Sequence, residues 1–189
     1  MSFFDALRAL NGLKRRRIIK DYAVIGAVAA TAYMEPVFTE DIDVIVLVDT
    51  DQEYRRTFGR IAELAEGQDG MHQVLGGVPV QLFPSTVMPL YRDVVENARQ
   101  IRIANLRAKV ATAEHLILLY LLANRDRDRL RIRYLTRNVD EVRLQALLER
   151  FDDSEKTLTS RLEGLRGTSI PREGDVAPPT GADESSPQA

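Results

Sequence analysis

Hydrophobic positions in the first half of the chain switch repeatedly between helical and strand patterns. Residues 22–25 and 42–48 are short apolar runs rich in β-branched side chains, so each predicts a buried strand. Residues 72–83 predict a hairpin around a Gly-Gly pair. Apolar residues at helical spacing predict helices over residues 2–12 and 51–67, the first of them ending at its Asn-Gly pair. This order predicts an α/β (α+β) domain with a small mixed sheet.

The second half of the chain has mainly helical patterns. Residues 88–99 and 113–125 carry apolar positions at helical spacing, and Thr112 is placed to cap the second helix. Three further helices with polar outer faces follow. The Pro, Gly, Ser and Asp content of residues 168–189 predicts a disordered tail. We therefore predict three parts: an α/β core over residues 1–104, a helical subdomain over residues 105–167, and the tail over residues 168–189.

Composition narrows the class of protein. Of 189 residues, 44% are hydrophobic and 29% charged, which is typical of a globular protein. The net charge of −2 gives no overall attraction to nucleic acid, so a polyanion would need a local basic patch such as residues 14–17 or 125–137. The absence of cysteine excludes disulfides and favours a reducing cytoplasm. We find no signal peptide and no run near the roughly 20 apolar residues of a membrane span, so we expect a cytoplasmic protein without membrane contact.

Two acidic residues, Asp41 and Asp43, stand at the start of the strand predicted from Ile42 onward. Because side chains at positions i and i+2 of a strand point to the same face, the two carboxylates project together while Ile42 points away. Such a pair repels itself unless a cation lies between the carboxylates, and Mg²⁺ or Mn²⁺ prefers oxygen ligands. We predict a divalent metal site at Asp41 and Asp43; the alternative is a solvated strand edge.

A second candidate feature lies upstream, where the first strand ends at Gly26 and Ala27 and a helix is predicted to begin. A glycine at such a turn allows phosphate oxygens to approach backbone N–H groups at the positive end of the helix. The alternative is that the small residues only permit tight packing of strand against helix. A phosphate-binding turn beside a carboxylate pair indicates nucleotide chemistry.

This arrangement of strand, Gly26-Ala27 turn, helix and Asp41-Ile42-Asp43 strand resembles the core of the nucleotidyltransferase superfamily typified by DNA polymerase β. That family has an apolar residue, a glycine and a second Gly or Ser, then a spacer, then Asp-x-Asp or Asp-x-Glu within an apolar strand. Here the spacer runs from Val28 to Glu40.

Two further stretches are similar to small bacterial members of the superfamily, including toxins of the AbiEii type. In FTEDIDV, Thr39 stands two residues before the first aspartate. In NRDRDRLRI, Arg125 and Asp128 match an Arg-x-x-Asp stretch. The resemblance covers residues 20–137.

The resemblance implies transfer of a nucleoside monophosphate from an NTP to an acceptor, which could be RNA or tRNA, a protein or a small molecule. Asp41 and Asp43 would hold Mg²⁺ (or Mn²⁺), and Gly26, Ala27, Thr39 and Arg125 would contact the nucleotide. It also implies an α/β core followed by a helical part, and, for the AbiEii type, a toxin with an antitoxin partner.

The sequence departs from the family pattern at two positions. Ala27 replaces a Gly or Ser, so a hydroxyl contact to phosphate is lost while the backbone donor remains. Gln81 stands where the resemblance places a third catalytic carboxylate, and a neutral amide cannot act as a base. Glu66 and Asp69 are other carboxylates that could serve. The alternative to an active enzyme is therefore a catalytically degenerate nucleotidyltransferase fold that binds a nucleotide or a partner protein.

Overall fold

The computed structural model describes residues 3–36, 38–103, 105–137 and 139–167. Its strands form one mixed seven-stranded sheet: β1 (Tyr22–Ile25), β2 (Ile42–Val46), β3 (Gly67–Asp69), β4 (His72–Leu75), β5 (Val78–Pro84), β6 (Arg99–Ile103) and β7 (Leu106–Val110). The helices of the described residues are α1 (Phe3–Arg15), α2 (Gly26–Ala30), α3 (Asp51–Ala62), α4 (Pro89–Glu96), α5 (Ala113–Ala123), α6 (Asp126–Leu135), α7 (Glu141–Phe151) and α8 (Thr157–Arg166). The predicted α/β class with a mixed sheet is confirmed.

Strand β2 lies in the middle of the sheet, whose order is β3, β4, β5, β2, β1, β7 and β6. It pairs antiparallel with β1 and parallel with β5, and this central position explains why its apolar run is continuous. Ile25 of β1 pairs with Asp43 of β2, and Asp43 pairs in turn with Gln81 of β5. These pairings bring together the C-terminal end of β1, the start of β2 and the first half of β5. We call this end of the central strands the site edge.

The ends of helices α1 and α3 differ from the sequence predictions. Helix α1 continues past its Asn-Gly pair because Leu10 and Leu13 both bury against the core, and this packing outweighs the local stop signal. Helix α3 ends at Ala62, since the chain beyond it enters the sheet as β3 and pairs with β4. The domain division after residue 104 stays a prediction; that position lies between β6 and β7, which pair as a hairpin, and β7 also pairs with β1.

Helix α5 is the most buried helix, as its apolar density predicted. Its buried apolar side chains include Leu116, Ile117, Leu118 and Leu121, and it packs against α2, α6, α7 and α8. Thr112 caps it, because the Thr112 hydroxyl accepts the backbone N–H of His115 at 3.4 Å. None of the helices in the described ranges is both long enough and apolar enough to traverse a lipid bilayer. The predicted tail, residues 168–189, lies outside the described residues.

A buried polar network joins α4 to α5 and α7. Asp93 is 6% exposed and accepts hydrogen bonds from His115 Nε2 at 2.9 Å and from Arg150 Nη1 at 2.6 Å. The other ring nitrogen of His115 accepts from the Thr112 hydroxyl at 2.8 Å. Burial lowers the pKa of His115 although Asp93 opposes this effect, so the neutral ring fits these donors and acceptors. The network thus joins α5 and α7 to α4 by directional bonds.

Replacing Asp93 by alanine is expected to lower the free energy of unfolding by about 3 kcal/mol, because His115 loses its buried acceptor. In a thermal melt this corresponds to a fall of about 6 to 12 °C. Asp49→Ala is the matched control, since Asp49 pairs with Lys20 and Arg92 at the surface, where ion pairs contribute little to stability. Equal melting temperatures for the two variants would contradict a stabilising role for the network.

Candidate active site

An open cleft of about 1020 Å³ lies between the site edge of the sheet and helices α5 and α6. All the site residues predicted from the sequence line this cleft: Gly26, Ala27, Thr39, Asp41, Asp43, Gln81 and Arg125. They come from separate parts of the chain, and the fold brings them together. Their roles in catalysis and nucleotide binding stay predictions.

Asp41 and Asp43 project into the cleft from the same face of the β2 segment. Ile42 between them is fully buried on the other face, as strand alternation requires. Burial raises the pKa of Asp43, and the neighbouring charge of Asp41 raises it further, while Arg125 acts in the opposite direction. The net rise shows that the charge of Asp43 is only partly balanced by the protein itself.

Gly26 is required at the turn between β1 and α2 for two reasons. Its φ angle of +64° lies in the left-handed region, which is costly for residues with a Cβ atom. A Cβ atom at this position would also collide with the carboxylate of Asp43. The backbone of the turn and the Asp43 side chain are thus in direct contact, and Ala27 follows in the same cleft wall.

Thr39 and His72 both contact Asp41. The Thr39 hydroxyl donates to Asp41 Oδ1 at 2.8 Å, so it orients the carboxylate. His72 Nε2 lies 3.4 Å from Asp41 Oδ2, and this buried ring nitrogen has no hydrogen-bond partner among the described residues. His72 pairs across the sheet with Gln81, which in turn pairs with Asp43. The strands β2, β5 and β4 therefore contribute a row of neighbouring side chains to the cleft. We call this row the sheet wall: Asp41, Asp43, Gln81 and His72.

Arginine side chains form the opposite wall. Arg125 precedes α6 and Arg127 and Arg131 lie on it, and all three line the cleft. The charges of Arg125 and Arg127 both act to lower the pKa of Asp43. Within the described residues neither Arg125 nor Arg127 forms a salt bridge, whereas Arg131 pairs with Asp128 at 2.7 Å. We call Arg125 and Arg127 the arginine wall.

Sequence reasoning missed several residues of this cleft. His72 was without a recognisable ligand motif, and only its register opposite Gln81 reveals its position. Arg127 lies within the basic patch predicted over residues 125–137, but nothing in the sequence indicates that it lines this cleft. Asp69, considered as an alternative carboxylate, lines the cleft on β3, whereas Glu66 is not among the lining residues. The hairpin register could have suggested His72, but no local pattern distinguishes Arg127 from an exposed helical arginine.

The donor set at Asp41 and Asp43 fits a hard divalent cation. Two carboxylates lie side by side, and the raised pKa of Asp43 reflects its burial first and then repulsion by Asp41. No group of three His, Cys, Asp or Glu residues in the described part of the chain is arranged to hold a metal. Mg²⁺ is commonly held by one or two carboxylates with water and substrate phosphates completing its shell, and this arrangement suits the pair.

Structural comparison identifies similar folds. A crystal structure of an antigenic nucleotidyltransferase-like protein from Paracoccidioides brasiliensis has a TM-score of 0.53 and 17% sequence identity, covering 86% of this chain and 94% of that chain. The chain has a nucleotidyltransferase-like fold. The solution structure of the antibiotic-resistance factor ANT(2'')-Ia is also similar, with a TM-score of 0.51, 14% identity, and coverage of 85% of this chain and 93% of that chain. No family model and no curated protein sequence matches the chain.

The unbalanced charge at Asp43 leads to a prediction about metal and stability. Asp43→Asn is expected to raise the free energy of unfolding in EDTA, because the amide avoids the cost of a buried, repelled carboxylate. Mg²⁺ at about ten times its dissociation constant should stabilise the wild type by about 1.4 kcal/mol, or roughly 3 to 6 °C. Mg²⁺ should raise the melting temperature of Asp43→Asn much less. Thermal melts of both proteins with EDTA or Mg²⁺ make the measurement, and equal Mg²⁺ responses would contradict a metal site at Asp43.

Proposed function

We propose that this chain is a magnesium-dependent nucleotidyltransferase that moves a nucleoside monophosphate from an NTP to an acceptor. The observation that carries the proposal is the meeting of Asp41, Asp43 and the Gly26 turn in one cleft, opposite Arg125 and Arg127. A magnesium triphosphate has a charge distribution complementary to these two walls. Its metal suits the carboxylates, and its phosphate oxygens suit the guanidinium groups.

In the proposed reaction an acceptor oxygen attacks the α-phosphorus and forms a new P–O bond. The bond from the α-phosphorus to the β-phosphate oxygen breaks, pyrophosphate leaves with the electron pair, and the acceptor proton passes to solvent. Mg²⁺ held by Asp41 and Asp43 would neutralise charge on the phosphates. Backbone N–H groups of Gly26 and Ala27 would contact the phosphates. Thr39 would orient Asp41.

The arginine wall would bind and orient the triphosphate without taking part in proton transfer, because guanidinium groups remain protonated. Gln81 faces the reacting centre from β5 beside Asp43. Its amide can donate to or accept from an acceptor hydroxyl but cannot remove the proton. Catalysis in this cleft would therefore rest on positioning and charge stabilisation.

Gln81 also motivates a second candidate function, a degenerate nucleotidyltransferase fold that binds a nucleotide or a partner protein without turnover. An active enzyme and a degenerate nucleotide binder both predict Mg²⁺-dependent nucleotide binding, and only transfer distinguishes them. The resemblance to AbiEii-type proteins adds a biological role to the first candidate. In that role the chain would be a cytoplasmic toxin acting on RNA or another acceptor, with an antitoxin as partner.

Transfer of labelled nucleotide separates these functions. Purified protein is incubated with each α-³²P-labelled NTP, Mg²⁺, and RNA, protein or small-molecule fractions of a cell extract. The proposal predicts label in one acceptor fraction, with a preference among the four NTPs, and no transfer in EDTA. Mg²⁺-dependent nucleotide binding without transfer to any fraction would instead support the degenerate binder. RNA labelling would support the acceptor expected for a toxin.

A further inference from the structure

A continuous series of contacts runs from helix α6 to the carboxylates of the sheet wall. Asp128, only 2% exposed, accepts a hydrogen bond from Arg131 Nη1 at 2.7 Å. The guanidinium carbon of Arg131 lies 5.7 Å from the centre of the Tyr120 ring, within the range of a cation–π contact. The Tyr120 hydroxyl donates to the backbone carbonyl of Gly26 at 2.9 Å. The series thus joins helix α6, which carries Arg127 and follows Arg125, to the turn beside Asp43.

The series continues from Gly26 to Asp43. Gly26 leaves no space for a side chain beside the Asp43 carboxylate, so a shift of its backbone toward Asp43 would meet that carboxylate directly. Ile25, the residue before Gly26, is also the register partner of Asp43. A change in the position of Gly26 is therefore expected to change the position of Asp43.

We propose that Tyr120 is a positioning residue that sets the separation between Asp41 and Asp43 on one wall and Arg125 and Arg127 on the other. A magnesium triphosphate must contact both walls at once, so its affinity depends on this separation. Tyr120 acts through Gly26 and does not itself need to touch the ligand. The inference rests on the proposed function, because the ligand class is the one proposed there.

The geometry favours Tyr120 for this role over the other contacts of α5. The other hydrogen bonds of α5 to neighbouring helices run to Asp93, Asp140 and Arg161 and not to the Gly26 turn. Its remaining buried contacts are largely apolar, and apolar contacts have little directional preference. The hydrogen bond from Tyr120 to Gly26 is directional, and it joins α5 to the turn that adjoins Asp43. Arg131, which is itself held by Asp128, contacts the Tyr120 ring.

The test compares two tyrosine variants that lose the same kind of bond. Tyr120→Phe removes the hydroxyl that bonds Gly26, and Tyr33→Phe removes a hydroxyl that donates to the Ala111 carbonyl at 2.9 Å outside the cleft. Calorimetry measures binding of inorganic tripolyphosphate with Mg²⁺, a ligand that requires no knowledge of the base preference. Thermal melts report stability, and the transfer assay reports KM for the NTP separately from kcat.

Tyr120→Phe is expected to weaken tripolyphosphate binding and to raise KM for the NTP, each by about tenfold, with kcat changed less than about threefold. Tyr33→Phe should change the affinity for tripolyphosphate and the KM for the NTP by less than about twofold each. Asp128→Asn, which weakens the hold on Arg131, should shift both constants in the same direction by a smaller factor.

Equal affinities of the wild type and Tyr120→Phe for tripolyphosphate would overturn the positioning role while leaving the proposed function intact. Equal losses of binding in Tyr120→Phe and Tyr33→Phe, with matching falls in melting temperature, would overturn it too by showing a general structural effect. Failure of the wild type to bind tripolyphosphate with Mg²⁺ would overturn the proposed function, and with it the inference.

Discussion

The double variant Asp41→Ala/Asp43→Ala is expected to lose nucleotidyl transfer by at least about 10³-fold while remaining folded. Charge stabilisation by a bound metal contributes several kcal/mol to phosphoryl chemistry, and each 1.36 kcal/mol changes a rate about tenfold. Removing both carboxylates removes the metal and with it this stabilisation. The melting temperature should not fall, because the variant also loses a repelled and partly buried charge at Asp43. Initial rates of transfer from the preferred labelled NTP provide the measurement.

Asp49→Ala serves as the control for this experiment. Asp49 lies beyond the C-terminal end of β2, whereas Asp41 and Asp43 lie at its start, and Asp49 is exposed and outside the cleft. Its loss should therefore change the rate of transfer by less than about twofold. Retention of more than a tenth of wild-type activity by the double variant would show that the carboxylate pair is not the catalytic centre. A matching loss in Asp49→Ala would point instead to a general defect.

The second large effect is expected for Gly26→Ala. The left-handed backbone at φ +64° costs about 1 to 2 kcal/mol with a Cβ atom, and the new methyl group would meet the Asp43 carboxylate. We expect a loss of about 2 kcal/mol in the free energy of unfolding, or roughly 4 to 8 °C in the melt. Displacement of Asp43 should lower transfer by more than about tenfold.

Gly59→Ala is the matched control for Gly26→Ala. Gly59 lies on the exposed face of helix α3, and a Cβ atom there would contact nothing. Alanine in a helix interior is favoured over glycine by about 0.5 to 1 kcal/mol, so this variant should be slightly more stable and fully active. A stable and active Gly26→Ala variant would contradict the close packing of the turn against Asp43.

The main parts of the fold could be predicted because their signals are local. The β-branched run after Asp43 marks a central strand, and Thr112 marks the start of α5 by an ordinary capping interaction. The end of α1 could not be predicted in this way. Burial of Leu13 and the packing of the whole helix outweigh its Asn-Gly pair, and this depends on contacts distant in sequence.

The site was only partly predictable for the same reason. Asp41 and Asp43 share a face of one strand, so their proximity follows from alternation alone. The proximity of His72 to Asp41 depends on the register of two strand pairs, and the approach of Arg127 to Asp43 depends on how α6 packs. Tyr120 gave no sequence signal at all, since a tyrosine in an apolar helix has the pattern of an ordinary core residue.

The position of the transferred phosphate tests the central claim most directly. Parallel reactions with α-³²P-labelled and γ-³²P-labelled forms of the preferred NTP would be resolved into acceptor, pyrophosphate and phosphate. Nucleotidyl transfer at Asp41 and Asp43 predicts the α label in the acceptor and the γ label in pyrophosphate, with neither product formed by the double aspartate variant. The γ label in the acceptor, or equal transfer by the variant, would contradict it.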